Sequence, residues 1–278
     1  MKYGLSGACA SMLLCLAGAQ PALASPSVYM TAPDEPRAVT VKGVGDGRAD
    51  DSAAIQQAID QAATAGGGIV FLPAGTYRIS RTLFLYPGVR IFGIGAQRPI
   101  ILLGANTPGF QRGVAHMLMF TGSQRQTDKG TSPAAFPPAG SVPFNKDIAD
   151  ANPGTFYSAL ANIDFRILDG NSAATAIRFH SAQHSFVSHV DFHIGSGLAG
   201  LYDVANEAED LHFHGGRYGI LAEKTSPAWP FALVDSSFEG QRDAAIREHE
   251  AGLTHHVDET RAHNTVSGLN GTSCISTA

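Results

Sequence analysis

Between Leu160 and His249 the chain states one pattern four times, and this limits its possible folds more than any other feature. Each unit holds a pair of short segments. Asn162 to Ile167 is followed by Ala176 to His180, His189 to Ile194 by Gly200 to Val204, Asp210 to Gly215 by Gly219 to Glu223, and Asp235 to Glu239 by Ala245 to His249. Phe165, Phe192, Phe213 and Phe238 mark the first segment of each unit, 27, 21 and 25 residues apart, and Ile177, Leu201, Ile220 and Ile246 mark the second. Recurrence at such intervals means a solenoid or array, and two short strands per unit argue against paired-helix repeats. Within each segment apolar and polar residues alternate, as in a strand with one face inward and one outward. The leucine-rich horseshoe is the rival, but its Leu/Asn spacing is missing. A parallel β-helix is expected, each coil stacked on the last and equivalent residues aligned in ladders.

The 278 residues suffice for one sizeable domain, and a hydrophobic content of 44% supports a core. A net charge of −5 gives no reason to invoke nucleic acid or an anionic membrane surface. Lys2, the apolar run Met12 to Ala17 and Ala22-Leu23-Ala24 read as a secretory signal, residues 1–24, cleaved before Ser25. The apolar run is too short to span a bilayer. A secreted or periplasmic protein without a membrane partner is expected. Cys9 and Cys15 leave with the signal, so Cys274 is left alone and no internal disulfide is available.

The β-helix is expected over residues 25–254. Gly45-Asp46-Gly47-Arg48-Ala49-Asp50-Asp51 precedes Ala54, Ile55, Ala58, Ile59 and Ala62, a helical spacing over about residues 50–63 with Asp50 or Asp51 placed as N-cap. One amphipathic helix ahead of a solenoid would cover the open end of the first coil, whose unpaired layer would otherwise recruit another chain. Gly66-Gly67-Gly68 ends it, and strands follow at Ile69 to Leu72, Thr76 to Ile79, Thr82 to Leu85, Val89 to Phe92 and Ile100 to Leu103.

The run GDGRADDSAAIQQAID, then GGGIVFLPAGTYRIS and LFLYPGVRIFGIG, resembles the N-terminal region of the pectate-lyase-like β-helix superfamily, which includes rhamnogalacturonases, polygalacturonases and epimerases. PGTFYSALANIDFRI, AQHSFVSHVDF and EDLHFHGGRYGI are more narrowly similar to the β-1,3-glucanase branch, glycoside hydrolase family 55. The resemblance spans about Val39 to Ile246 and implies an all-β, single-stranded, right-handed parallel β-helix with a capping α-helix. In that branch two β-helices pack together, and the general-acid glutamate lies in the later one. This sequence offers no position onto which that glutamate can be carried. The polygalacturonase signature is not found in matching order.

Residues 121–152 are too rich in Pro, Gly and Ser for an ordinary turn and form a long loop, in which Phe136 and Phe144 could face sugar rings or pin the loop to the coils. Trp229 sits in a Pro-flanked turn, where it could stack on a sugar or cover the coil edge. From residue 255 to 278 the periodic signal stops, so an irregular tail is expected. Such an end leaves the last coil uncapped and reads as a truncated chain, a missing second β-helix domain, or a surface for self-association.

Alternation assigns outward ladders. The first holds Asn162, His189, Asp210 and Asp235; the second Asp164, Asp191, His212 and Ser237; the third Arg166, His193, His214 and Glu239. Rungs lie about 4.8 Å apart and alternate residues about 6.6 Å apart. Glycoside hydrolysis needs two carboxyl groups at about 5–5.5 Å for retention or about 6.5–9.5 Å for inversion. Asp164/Asp191 and Asp191/Glu239 are the candidate catalytic pairs, and Arg166, His193, His212, His214, Asp210 and Asp235 the candidate substrate-binding residues. The bland reading is that stacked Asp and His pair with one another across rungs. No metal site is expected from the histidines, which lack an accompanying ligand pattern. Arg178 and Arg247 take equivalent outward places on the second strand. The functional expectation is a polysaccharide-active glycosidase working by carboxylate acid/base chemistry on β-glucan or pectic chains, without a cofactor. The alternatives are a polysaccharide lyase using Ca2+ and an arginine base, and a non-catalytic carbohydrate-binding solenoid or inactive fragment.

Overall fold

A computed structural model describes residues 26–123, 149–150, 155–223, 231–248, 255–258 and 261–263. Residues 1–24, where an export signal is expected, and Phe136, Phe144 and Trp229 lie outside the described residues. The structure is a parallel β-helix with three walls, so the coils of the repeat over residues 160–249 have three strands where the repeat pattern suggests two. Wall A comprises Val39–Thr40, Gly68–Pro73, Val89–Ile94, Ala159–Ala161, the first parts of Phe186–Gly195 and Asn206–Gly215, Phe231–Val234 and His255–Asp258. Wall B comprises Asp46–Asp50, Thr76–Ile79, Ile100–Leu103, Asp164–Ile167, the second parts of the same two long strands, Ser237–Glu239 and Arg261–His263. Wall C comprises Leu83–Leu85, Ala115–Ser123, Ala174–Arg178, Ala199–Tyr202, Tyr218–Ala222 and Ala244–Glu248. All rungs pair in parallel; the short strand Ala149–Asp150 alone runs antiparallel, against Ala115–Ser123.

In the four later coils the chain bends from wall A to wall B at one residue in the left-handed region. Asn162, His189, Asp210 and Asp235 hold this place in four successive coils, with φ of 62°, 54°, 51° and 45°. The first expected ladder is therefore a stack of bends and not part of a flat wall. Asn and Asp adopt this conformation more readily than most residues. Asn162 is fully buried: its Nδ2 donates to Gly93 O and Ser27 Oγ, each at 2.7 Å, and its Oδ1 accepts from Val28 N at 3.0 Å. Those bonds tie the N-terminal lead-in to the third and fourth coils.

The aromatic column lies inside as expected. Phe165, Phe192, Phe213 and Phe238 are at most 1% exposed and stack at centroid distances of 5.9, 4.8 and 4.6 Å. Across the coil, Gly200 and Gly219 give the rings room; a Cβ on Gly200 would come within 2.6 Å of the Phe213 ring. Ile177, Leu201, Ile220 and Ile246 line up opposite, completing one continuous core.

The helix α1 (Ser52–Thr64) replaces the C strand of the first coil and buries Ile55, Ala58, Ile59 and Ala62. Asp51 is its N-cap residue, but its carboxylate accepts from Val44 N and Gly45 N instead of capping. Gln56 accepts from Phe84 N at 2.8 Å and donates to Phe84 O at 3.1 Å. Its amide thus supplies the hydrogen bonds a neighbouring strand would give, which closes the edge of wall C.

At the other end, His255–Asp258 pairs with Phe231–Val234 and Arg261–His263 with Ser237–Glu239. The periodic fold continues into this stretch, where an irregular tail is expected. Parallel pairing is made by the backbone on a rung already in place, so it does not need strict apolar alternation.

Candidate functional site on the B wall

The second and third ladders form in the expected register. Asp191 pairs with His212 and His212 with Ser237; Arg166 pairs with His193, His193 with His214, and His214 with Glu239. Asp164 stands one residue before the Phe165–Phe192 pair and so falls beside Asp191.

At the centre of this wall stands Arg98, a residue the repeat does not include. It comes from the turn between Val89–Ile94 and Ile100–Leu103 and is 6% exposed. Its Nη1 lies 3.5 Å from Asp164 Oδ1 and 3.2 Å from Asp191 Oδ1, and its Nη2 lies 3.1 Å from Asp210 Oδ2. One guanidinium therefore spans carboxylates of three consecutive coils. The cluster extends through Asp210: His189 Nδ1 is 2.6 Å from its Oδ2, and His212 Nε2 is 2.9 Å from its Oδ1. His212 Nδ1 in turn lies 2.8 Å from Ser237 Oγ.

This arrangement sets the charges. Burial pushes the Asp164 carboxyl up to about 6; the Asp191 carboxylate adds to this, while the Asp191 N–H and Arg98 work against it. Burial also raises Asp210, but the His189 hydrogen bond and the charges of His212, Arg98 and His189 outweigh it and bring that carboxyl below its usual value. Asp164 is 2% exposed and sealed beneath Arg98, so it is not open to a polymer chain. Asp191 and Glu239 are two rungs and one step across apart, about 12 Å between backbones. Asp235 is exposed at its bend and makes no ion pair among the described residues.

The third ladder is more open. His193 and His214 stack at 5.0 Å and 14°, and His214 Nδ1 lies 3.5 Å from Glu239 Oε2. Burial lowers the His193 pKa, helped by the charges of His214 and Arg166 and opposed by Asp191. These effects favour the neutral imidazole. Arg166, one rung below, is partly exposed and has no hydrogen bond or ion pair among the described residues.

Wall C carries a second polar cluster, whose Arg178, Tyr202 and Asp203 are buried. Arg178 is not outward and free: it lies 3.4 Å from Asp203, both 3% exposed, and Tyr202 Oη donates to Glu223 at 2.6 Å. Burial raises the Tyr202 phenol strongly, with the nearby Asp203 and Glu223 acting in the same direction. Arg247 Nη1 donates to Tyr218 Oη at 2.5 Å.

Among the described residues no group of three or more His, Cys, Asp or Glu is placed to hold a metal ion. The one point shared by three carboxylates is filled by the Arg98 guanidinium, so these residues do not fit the calcium ion of the lyase alternative.

A solenoid with one wall of ordered carboxylates and imidazoles defines the class of β-helix proteins with a polar lateral surface. The chain belongs to the family described as rhamnogalacturonase A/epimerase, pectate lyase-like, whose model matches residues 39–270. Mannuronan C5-epimerase AlgE3 of Azotobacter vinelandii is 49% identical over 67 residues, 22% of this chain and 4% of the relative. Alginate lyase 7 of the same organism is 31% identical over 121 residues, 41% of this chain and 13% of the relative. The chain thus spans only a small part of the curated relatives' length. A solved structure, Geobacillus virus E2 ORF18, shares the fold with a TM-score of 0.52 at 14% identity, covering 81% of this chain and 41% of that one.

Proposed function

We propose that the protein is an exported, polysaccharide-active enzyme whose B wall abstracts a proton from an acidic sugar of the chain, in an elimination or an epimerisation. The observation that carries this reading is Arg166 beside His193: a guanidinium with no ion pair among the described residues, one rung from an imidazole whose pKa burial lowers. Proton removal next to a carboxylate needs a neutral base and a cation that stabilises the dianion formed. Hydrolysis instead needs two accessible carboxyl groups, and Asp164 is sealed beneath Arg98, which also pairs with Asp191. The sequence-level relatives named for mannuronan and alginate favour the same class of substrate.

In the proposed step His193 takes the proton on the carbon bearing the sugar carboxylate. The electron pair passes into that carboxylate, held by Arg166. It then either expels the glycosidic oxygen on the neighbouring carbon or takes a proton on the opposite face of the ring. In elimination a second proton, from His214 beside Glu239, goes to the departing oxygen; in epimerisation it comes from water on the far face of the ring, and in both branches His193 then gives its proton to solvent. Asp164, Asp191 and Asp210 bind Arg98 and fix the wall, and His212 anchors Asp210 to the next coil.

The test is incubation with polymannuronate, polygalacturonate and laminarin, following ultraviolet absorbance of unsaturated ends, reducing ends, and sugar configuration by NMR. Unsaturated ends or inverted uronates support the reading. Reducing ends from laminarin without unsaturation would return the glycosidase reading.

A further inference from the structure

At the corner where wall C turns into wall A, one backbone position is left-handed in four consecutive coils: Gly67, Gly88, Tyr157 and His184, with φ of 104°, 75°, 62° and 60°. Glycine suits this position, whereas a bulky aromatic residue there is an outlier that marks a constraint beyond the turn. Both rings are exposed and stack at 4.9 Å with planes 5° apart. The two glycine rungs beside them leave a notch. It is a cleft of about 220 Å³ with Tyr157 as one wall, and a Cβ on Gly68 would meet nothing within 4 Å.

The rim carries charge. Arg90 places its Cζ 5.9 Å from the Tyr157 ring centre and donates through Nε to Tyr157 O at 3.3 Å. Its terminal nitrogens have no partner among the described residues. Arg37 stands on the same rim, its side chain 89% exposed, and its Nε is 3.3 Å from Glu35. Two guanidiniums and one carboxylate leave one net positive charge beside an aromatic face. The cleft is separate from the B wall, on another corner of the coil.

We infer that this cleft is a second binding site, taking one sugar of an acidic polysaccharide: the sugar ring packs in the cleft against the part of the Tyr157 face that Arg90 leaves open, and its carboxylate meets the free edge of Arg90. An aromatic face covers the apolar face of a pyranose, and a guanidinium edge matches a carboxylate in two parallel hydrogen bonds. The choice of an acidic sugar rests on the function proposed above; the cleft itself does not. Such a site would hold the polymer while the B wall acts elsewhere on it.

The test uses trigalacturonate and neutral cellotriose with the full-length mature protein, reading backbone amide shifts and calorimetric affinity. Trigalacturonate is expected to shift the amides of Gly67, Gly68 and Gly88, and cellotriose to bind on the order of tenfold more weakly. Tyr157→Gly keeps the left-handed backbone and removes the ring; it and Arg90→Gln should each weaken trigalacturonate binding by about tenfold. His193→Asn, on the other wall, should leave these shifts in place. If trigalacturonate shifts these amides in a protein that turns over no polysaccharide, the site stands and the proposed activity falls. Absence of shifts at the three glycines, or equal affinity for both trisaccharides, overturns the site even if turnover is found.

Discussion

Replacing Arg98 with methionine should reveal how far the B wall depends on one cation. The guanidinium is 6% exposed and lies 3.1 to 3.5 Å from carboxylates of three successive coils. Without it, Asp164 and Asp191 face each other across one rung. Two unit charges about 5 Å apart repel by roughly 3 kcal/mol at an effective dielectric constant of about 20. Removing one partner of a buried ion pair typically costs about 3–5 kcal/mol, and the variant should fall in that range at pH 7.5. The loss should shrink on acidification, because Asp164 already holds its proton up to about pH 6 and would hold it higher still without Arg98. Urea unfolding at pH 7.5 and 5.0, followed by far-ultraviolet circular dichroism, measures both quantities, with a check for a single transition because stacked coils can unfold in parts. A loss below about 1 kcal/mol at pH 7.5, or one of equal size at both pH values, would refute the role given to Arg98.

Asp164 has its own signature. Its folded pKa of about 6 stands above the ordinary value of 3.8, so the folded state binds the proton more tightly and this group gains stability as pH falls from about 6 towards 4. The full difference is about 3 kcal/mol, and Asp164→Asn should abolish that increment in pH-dependent unfolding while keeping the acceptor for Asp191 N. Phe213→Ala, at the middle of the aromatic column and fully buried, should cost about 3–5 kcal/mol in the same assay. Asn162→Ala places a Cβ residue at φ 62° without its three side-chain bonds; it should lose about 2–4 kcal/mol and expose the N-terminal lead-in to limited proteolysis. Arg166→Gln should raise KM for polymannuronate and lower kcat, with no loss of thermal stability, since the side chain has no protein partner to forfeit among the described residues.

Periodicity reveals residues that repeat and hides those that do not. The phenylalanine column, the two outer ladders and the capping helix are legible because one apolar residue per coil must meet the last, and because helical and strand spacings differ. The wall A strand of the four later coils is not. Its bend into wall B is one left-handed residue, filled by Asn162, His189, Asp210 and Asp235 in place of the Gly or Pro that usually announces a turn. The bend therefore reads as one more step of alternation. Arg98 was out of reach for a different reason: it is 93 residues from Asp191 and 112 from Asp210, and only the stacking of coils brings them together. A run of outward carboxylates on successive rungs is the one available signal, since such a run demands a counter-charge from somewhere. For the same reason Asp164 and Asp191 look like a free catalytic pair in the sequence and are an ion cluster in the fold. The corner aromatics Tyr157 and His184 are equally silent, because neither residue type signals a left-handed backbone.

The most direct measurement is the fate of the hydrogen next to the sugar carboxylate. Polymannuronate is incubated in D2O with the wild-type protein and with His193→Asn, and the products are read by NMR. The wild type should either place deuterium at that carbon or leave an unsaturated ring there, and the variant should do neither above background. Turnover by the wild type with that hydrogen retained, or unchanged exchange in the variant, would contradict the assignment of His193 and with it the chemistry given to the B wall.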